Sequence, residues 1–125
     1  MNPPILAASA LMAITTAVHV FSGGPEIHVP IQASTLSADL RAISAVIWHA
    51  ITVILAGFAV ALVWLSLKRN EPLAWLIIGV QLGFAALFIF YGLTMLDSLW
   101  PMPQWIVFLI IPTIMLWGMR WQRAL

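Results

Sequence analysis

Apolar positions run along this chain in four long blocks, at residues 4–21, 38–67, 72–96 and 104–121, separated by short clusters of glycine, proline and charge. Each block approaches or exceeds the roughly 20 residues that a helix needs to cross a bilayer. The punctuation predicts where the helices begin and end. Gly23-Gly24-Pro25 is expected to stop the first helix, leaving residues 22–37 as an ordered, turned loop. Ser37 can cap the second helix, with Asp39 placed favourably in its first turn. Asn70-Glu71-Pro72 opens the third with proline in the first turn. The fourth follows the turn Trp100-Pro101-Met102-Pro103, and Pro112 in its middle is expected to bend it.

Composition turns these blocks into membrane spans. The chain is 63% hydrophobic and 7% charged, against about 25% charged residues in an average soluble domain. A soluble fold of this size cannot bury so much apolar surface, whereas a bilayer accepts it as solvent. The expected fold class is an all-α integral membrane protein, a single transmembrane domain forming an up-down-up-down four-helix bundle with the lipid bilayer as its first partner. The start, Met1-Asn2-Pro3-Pro4, carries no basic residue ahead of the apolar run, which favours a retained helix over a cleaved signal.

Charge sets the orientation. Lys68 and Arg69 lie between the second and third blocks, and Arg120 and Arg123 at the C-terminal end. With four spans these fall on one side, the cytoplasmic one by the positive-inside rule, so both termini are expected there. Arg41 falls on the other side with Glu26, Asp39 and Asp97. Trp64, Trp75, Trp117 and Trp121 mark the inner interface, and Trp100 and Trp105 the outer one. The small size and short connections suggest a bacterial inner membrane.

Several chemistries drop out. The chain has no cysteine, which excludes disulfides, thiolate metal sites and cysteine nucleophiles. A net charge of +1 without a basic run gives no footprint for nucleic acid. No Ser-His-Asp arrangement, phosphate loop or dinucleotide fingerprint is present. The inner half of the spans is almost wholly apolar, which disfavours proton-coupled transport or a water-filled channel.

What remains is a set of polar residues towards the outer side. His19, at the end of the first span, and His49, about one turn inside the outer interface on the second, are predicted at similar depth on neighbouring helices. Two such imidazoles can ligate a transition metal ion or the iron of a haem. Thr15 and Thr16 share the His19 face, and Thr52 the His49 face. His28, Glu26 and Asp97 complete a candidate nitrogen–oxygen metal set, with Tyr91 and Arg41 in support; Arg41 could otherwise meet an anionic headgroup. The plainer reading is that these histidines bond to neighbouring helices and that the charges are solvated interface groups.

Small residues recur at helical spacing: Ser9, Ala13 and Ala17; Gly57 and Ala61; Gly79 and Gly83. They serve either close packing within the bundle or association with another membrane helix. Gln81 is expected to bond across to another helix. Four helices with histidines in the first two resemble, in architecture alone, the small haem-bearing membrane anchors that react with quinones, and no residue role is carried over from that group. The expected function is a non-catalytic accessory or assembly subunit of a larger membrane complex, or a homo-oligomer. The alternatives are a metal- or haem-binding protein using His19 and His49, and a small transporter or lipid-active enzyme.

Overall fold

The computed structural model describes residues 1–123; the side chains of Gln122 and Arg123, the latter one of the orienting basic residues, lie outside the described residues. Among the described residues the fold is all-helical, with no strand. Helix α1 (Pro3–Val18), a π-helical segment (His19–His28) and α2 (Val29–Gln32) form one continuous run, Pro3–Gln32. After a turn over residues 33–37, α3 (Ala38–Leu67) returns, followed by α4 (Glu71–Met95) and α5 (Trp105–Arg123).

Three helices, Pro3–Gln32, Ala38–Leu67 and Glu71–Met95, are long and apolar enough to cross a membrane. The fourth expected span corresponds to the shorter apolar stretch Trp105–Trp121 of α5. In the most apolar stretch of each long helix only 22–28% of the residues are buried. Strongly exposed side chains on these helices include Ile14, Val53, Val60 and Leu76. That is far more exposed apolar surface than water tolerates, and it suits hydrocarbon.

The first helix departs from the sequence expectation. It does not stop at Gly23-Gly24-Pro25 to leave a loop over 22–37; it stays helical as far as Gln32. Continued winding keeps the backbone N–H and C=O groups of the segment paired within the helix, which a loop would leave in need of other partners. In an α-helix a proline ring clashes with the carbonyl four residues back. The segment instead winds with the wider i→i+5 register, seen where Val29 N–H bonds to Gly24 O. Ser37 does occupy the N-cap position of α3, but its hydroxyl makes no capping bond.

Packing brings the first and last helices together. α1 lies against both α3 and α5, and α5 also lies against α4. The core draws on all four, with Ile5, Ala8 and Met12 meeting Leu55, Leu62, Ile77, Phe108, Ile111 and Met115. Small side chains allow the α1–α3 approach: buried Ser9 donates its hydroxyl to Ala59 O at 2.8 Å. The other two residues of that stripe, Ala13 and Ala17, are exposed. Gln81, fully buried, reaches α5 by donating Nε2–H to Met115 Sδ at 3.6 Å, while its Oε1 has no partner.

One end of the structure is tied by Asn2, 2% exposed. Its Oδ1 caps α1 by accepting from Ile5 N–H at 3.2 Å. Its Nδ2 donates to Gly118 O on α5 at 2.8 Å, and its backbone N–H donates to Ser66 O on α3 at 2.7 Å. Three helices therefore meet on one side chain and its amide. Gly118 permits this meeting, because a Cβ there would stand 2.6 Å from Ile5 Cγ1. Asn70 repeats the capping at α4, accepting from Leu73 N–H at 3.1 Å, and Arg69 pairs with Glu71 beside it.

Gly118→Ala is expected to lower stability by about 1–3 kcal/mol through overpacking. Asn2→Ala is expected to cost about 2 kcal/mol, from the lost cap and the orphaned Gly118 carbonyl. Thermal unfolding in mild detergent reads both.

Candidate functional site

The π segment determines which side chains reach α3. A π-helix has about 4.4 residues per turn, so residues nine apart are about two turns apart and share a face. In an α-helix of 3.6 residues per turn they would lie on opposite sides. His19 and His28 open and close the segment, and both stack on the indole of Trp48. The ring centres are 4.1 Å apart with an 18° interplanar angle for His19, and 5.5 Å with 17° for His28. Between them Gly23 makes room for the indole, as a Cβ there would lie 3.1 Å from Trp48 Cη2. The Gly-Gly-Pro sequence that reads as a helix stop thus forms part of a docking surface for a tryptophan.

His19 is further fixed by hydrogen bonds. The Thr52 hydroxyl donates to Trp48 O at 3.1 Å. Its oxygen then accepts from His19 Nε2 at 3.1 Å, with Trp48 O at 3.4 Å as a second acceptor. A carbonyl can only accept, so these partners place the His19 proton on Nε2. Thr52, expected to share the His49 face, therefore serves His19. Thr15 and Thr16 bond back to Leu11 O and Met12 O within their own helix, both at 2.8 Å.

His49 meets His28 rather than His19. Their ring centres are 5.3 Å apart, edge to face at 69°. His28 Nδ1 is enclosed and has no hydrogen-bond partner, and His49 is exposed.

The other candidate residues are placed elsewhere. Glu26 is exposed and accepts from Ser22 Oγ at 3.3 Å. Asp97 is exposed at the end of α4 in a left-handed conformation, φ 52°. Beside it Ser98 N–H bonds back to Gly92 O at 3.2 Å, so this residue belongs to the turn that closes α4. Tyr91 is exposed and packs edge-on to Phe90. Arg41 locks α3 to the end of α2: its Nη1 donates to Gln32 O at 3.1 Å, and Gln32 Nε2 donates to Arg41 O at 3.0 Å. Among the described residues no group of three or more His, Asp or Glu side chains is gathered closely enough to hold a metal ion. The five-residue metal set is therefore not assembled, and the histidine pair in ring contact is His28–His49.

The sequence reading passes over Trp48 and takes Gly23 as part of a helix stop, yet these are the two residues around which the histidines are arranged. The available signal is the nine-residue offset between His19 and His28, which carries meaning only once the winding is known. Comparison of the chain with protein families, with characterised proteins and with solved structures gives no match.

Replacing Gly23 by leucine is expected to displace Trp48 and lower the unfolding temperature by several degrees, about 1–3 kcal/mol of overpacking. Gly24→Ala is expected to leave stability unchanged or raise it by up to about 1 kcal/mol, since a Cβ there meets nothing within 4 Å. Paired thermal melts of the two variants in one detergent check this.

Proposed function

We propose that this protein is a small, non-catalytic membrane protein that works by lateral helix packing, as an accessory or assembly subunit of a larger membrane complex or as a homo-oligomer. In this reading four helices cross the bilayer with both termini on the cytoplasmic side, in a bacterial inner membrane. The basic residues support that orientation: Lys68 and Arg69 in the α3–α4 turn and Arg120 near the end of α5, against Arg41 at the opposite ends of the helices.

The observation that carries the reading is the outer face of α4. Gly79 and Gly83 stand four residues apart, exposed, and a Cβ on either would meet nothing within 4 Å. A glycine inside a helix costs about 1 kcal/mol relative to alanine. At Gly23, Gly92 and Gly118 close contacts within the chain explain the residue. At Gly79 and Gly83, as at Gly24 and Gly57, no contact among the described residues does, and only on α4 do two such glycines stand four residues apart. Around them Trp75, Leu76, Leu82, Leu87 and Phe90 are also exposed. A small-residue groove bordered by large apolar side chains is the form in which a second membrane helix approaches closely.

The absence of cysteine gives a clean background for disulfide trapping in native membranes. Gly79→Cys and Gly83→Cys are expected to form a discrete adduct, with a second copy or with one partner protein. Val60→Cys, on the exposed side of α3, is expected to remain free. In parallel, Gly83→Ile is expected to abolish the association seen in mild detergent while leaving thermal stability unchanged or slightly raised. No adduct at either glycine, together with a monodisperse monomer in mild detergent, overturns the proposal.

A further inference from the structure

The same fold holds a second feature, independent of the α4 face. We infer that His28 and His49 form a two-imidazole binding site for a divalent transition-metal ion of the Cu2+ or Zn2+ class, at the end of the helices opposite Asn2.

Distance is the first support. A metal–imidazole bond of about 2.0–2.1 Å places the ring centres of two imidazoles on a tetrahedral ion about 5 Å apart. The ring centres of His28 and His49 are 5.3 Å apart. Two imidazoles on opposite sides of a haem iron would stand about 6 Å apart, with a porphyrin plane between them. The observed spacing is compatible with two imidazoles on a single ion.

Unused bonding capacity is the second. His28 Nδ1 is enclosed and without a partner, and an enclosed polar atom left unsatisfied is costly unless something else fills the role. His49 stands in ring contact with His28 and forms no hydrogen bond among the described residues. His19 differs: its Nε2–H is committed to Thr52 and Trp48. Of the three histidines, two therefore keep nitrogens free for a ligand and one does not.

Rigidity is the third. The Trp48 indole stacks on His28 and precedes His49 in α3, so one side chain buttresses the first ligand and its neighbour in sequence is the second. Imidazole is a preferred ligand for copper and zinc. Water or chloride would complete the coordination on the exposed His49 side, which makes the expected site a modest one that exchanges its ion with solution.

The test uses the full chain in mild detergent, with Cu2+ and Zn2+ themselves as probes. Equilibrium titration is expected to give about one ion per chain. Binding should weaken at least tenfold in His28→Ala and in His49→Ala, and change less than twofold in His19→Ala. His49→Cys, which keeps a ligand atom, should retain Zn2+. Electron paramagnetic resonance of the Cu2+-loaded wild type should show coupling to two imidazole nitrogens, a readout that does not depend on any variant folding. Absence of saturable binding, equal losses in all three alanine variants, or a Cu2+ spectrum without imidazole nitrogens would overturn the inference.

Discussion

A helix that passes a proline without giving up its backbone hydrogen bonds has to change its winding, and this constraint governs the first third of the chain. Gly23-Gly24-Pro25 reads as a helix stop, at which the released N–H and C=O groups would need other partners. Here the chain keeps its internal hydrogen bonds by widening its winding over His19–His28. The change of register alters the phase of every side chain beyond it. His28 is thereby carried to the same side as His19, and the two rings reach one indole. Glycine at position 23 removes the one Cβ that would hold that indole away.

The opposite end of the molecule is organised by a different interaction with a similar logic. Asn2 satisfies the first turn of α1 and at the same time takes up polar groups of α3 and α5. Such bonds lose nothing to water when they form in an apolar medium, and each missing one leaves a buried polar atom stranded. Between the two ends the contacts are almost wholly apolar, apart from Ser9 bonding to Ala59 O and Gln81 reaching Met115. Specific polar contacts thus hold both ends of α1, while its middle packs by small residues and shape.

Length and apolarity of the helices are legible in the sequence because lipid demands both, and few other environments tolerate so many outward-facing Val, Ile and Leu side chains. The site is less legible, and the reason is phase. Reading His19 and His49 as a pair rests on equal depth, which fixes a position along the axis but not an angle around it. Assigning His28 to a loop follows from treating Gly-Gly-Pro as punctuation, a rule that does not allow for a helix continuing past it in a wider register. Asp97 enters the candidate set by side of the membrane, and Glu26 also by its two-residue spacing from His28 in a segment read as extended; the structure holds each within its own helical segment or turn. Asn2 carries a readable signal, a capping residue directly before Pro3-Pro4. Its ties to Gly118 and Ser66 join positions far apart in the chain, and no local pattern reports such contacts.

The central claim is that the chain keeps a π register between His19 and His28, and cysteine pairs measure that register directly in this cysteine-free protein. With π winding, residue 28 shares the His19 face and adjoins residue 49; with α winding, residue 26 takes that place, about two turns from His19. The account predicts that His28→Cys with His49→Cys cross-links efficiently under mild oxidation or with a short bifunctional reagent, while Glu26→Cys with His49→Cys does not. Preferential cross-linking of the Glu26→Cys pair, or equal yields from both pairs, would contradict it.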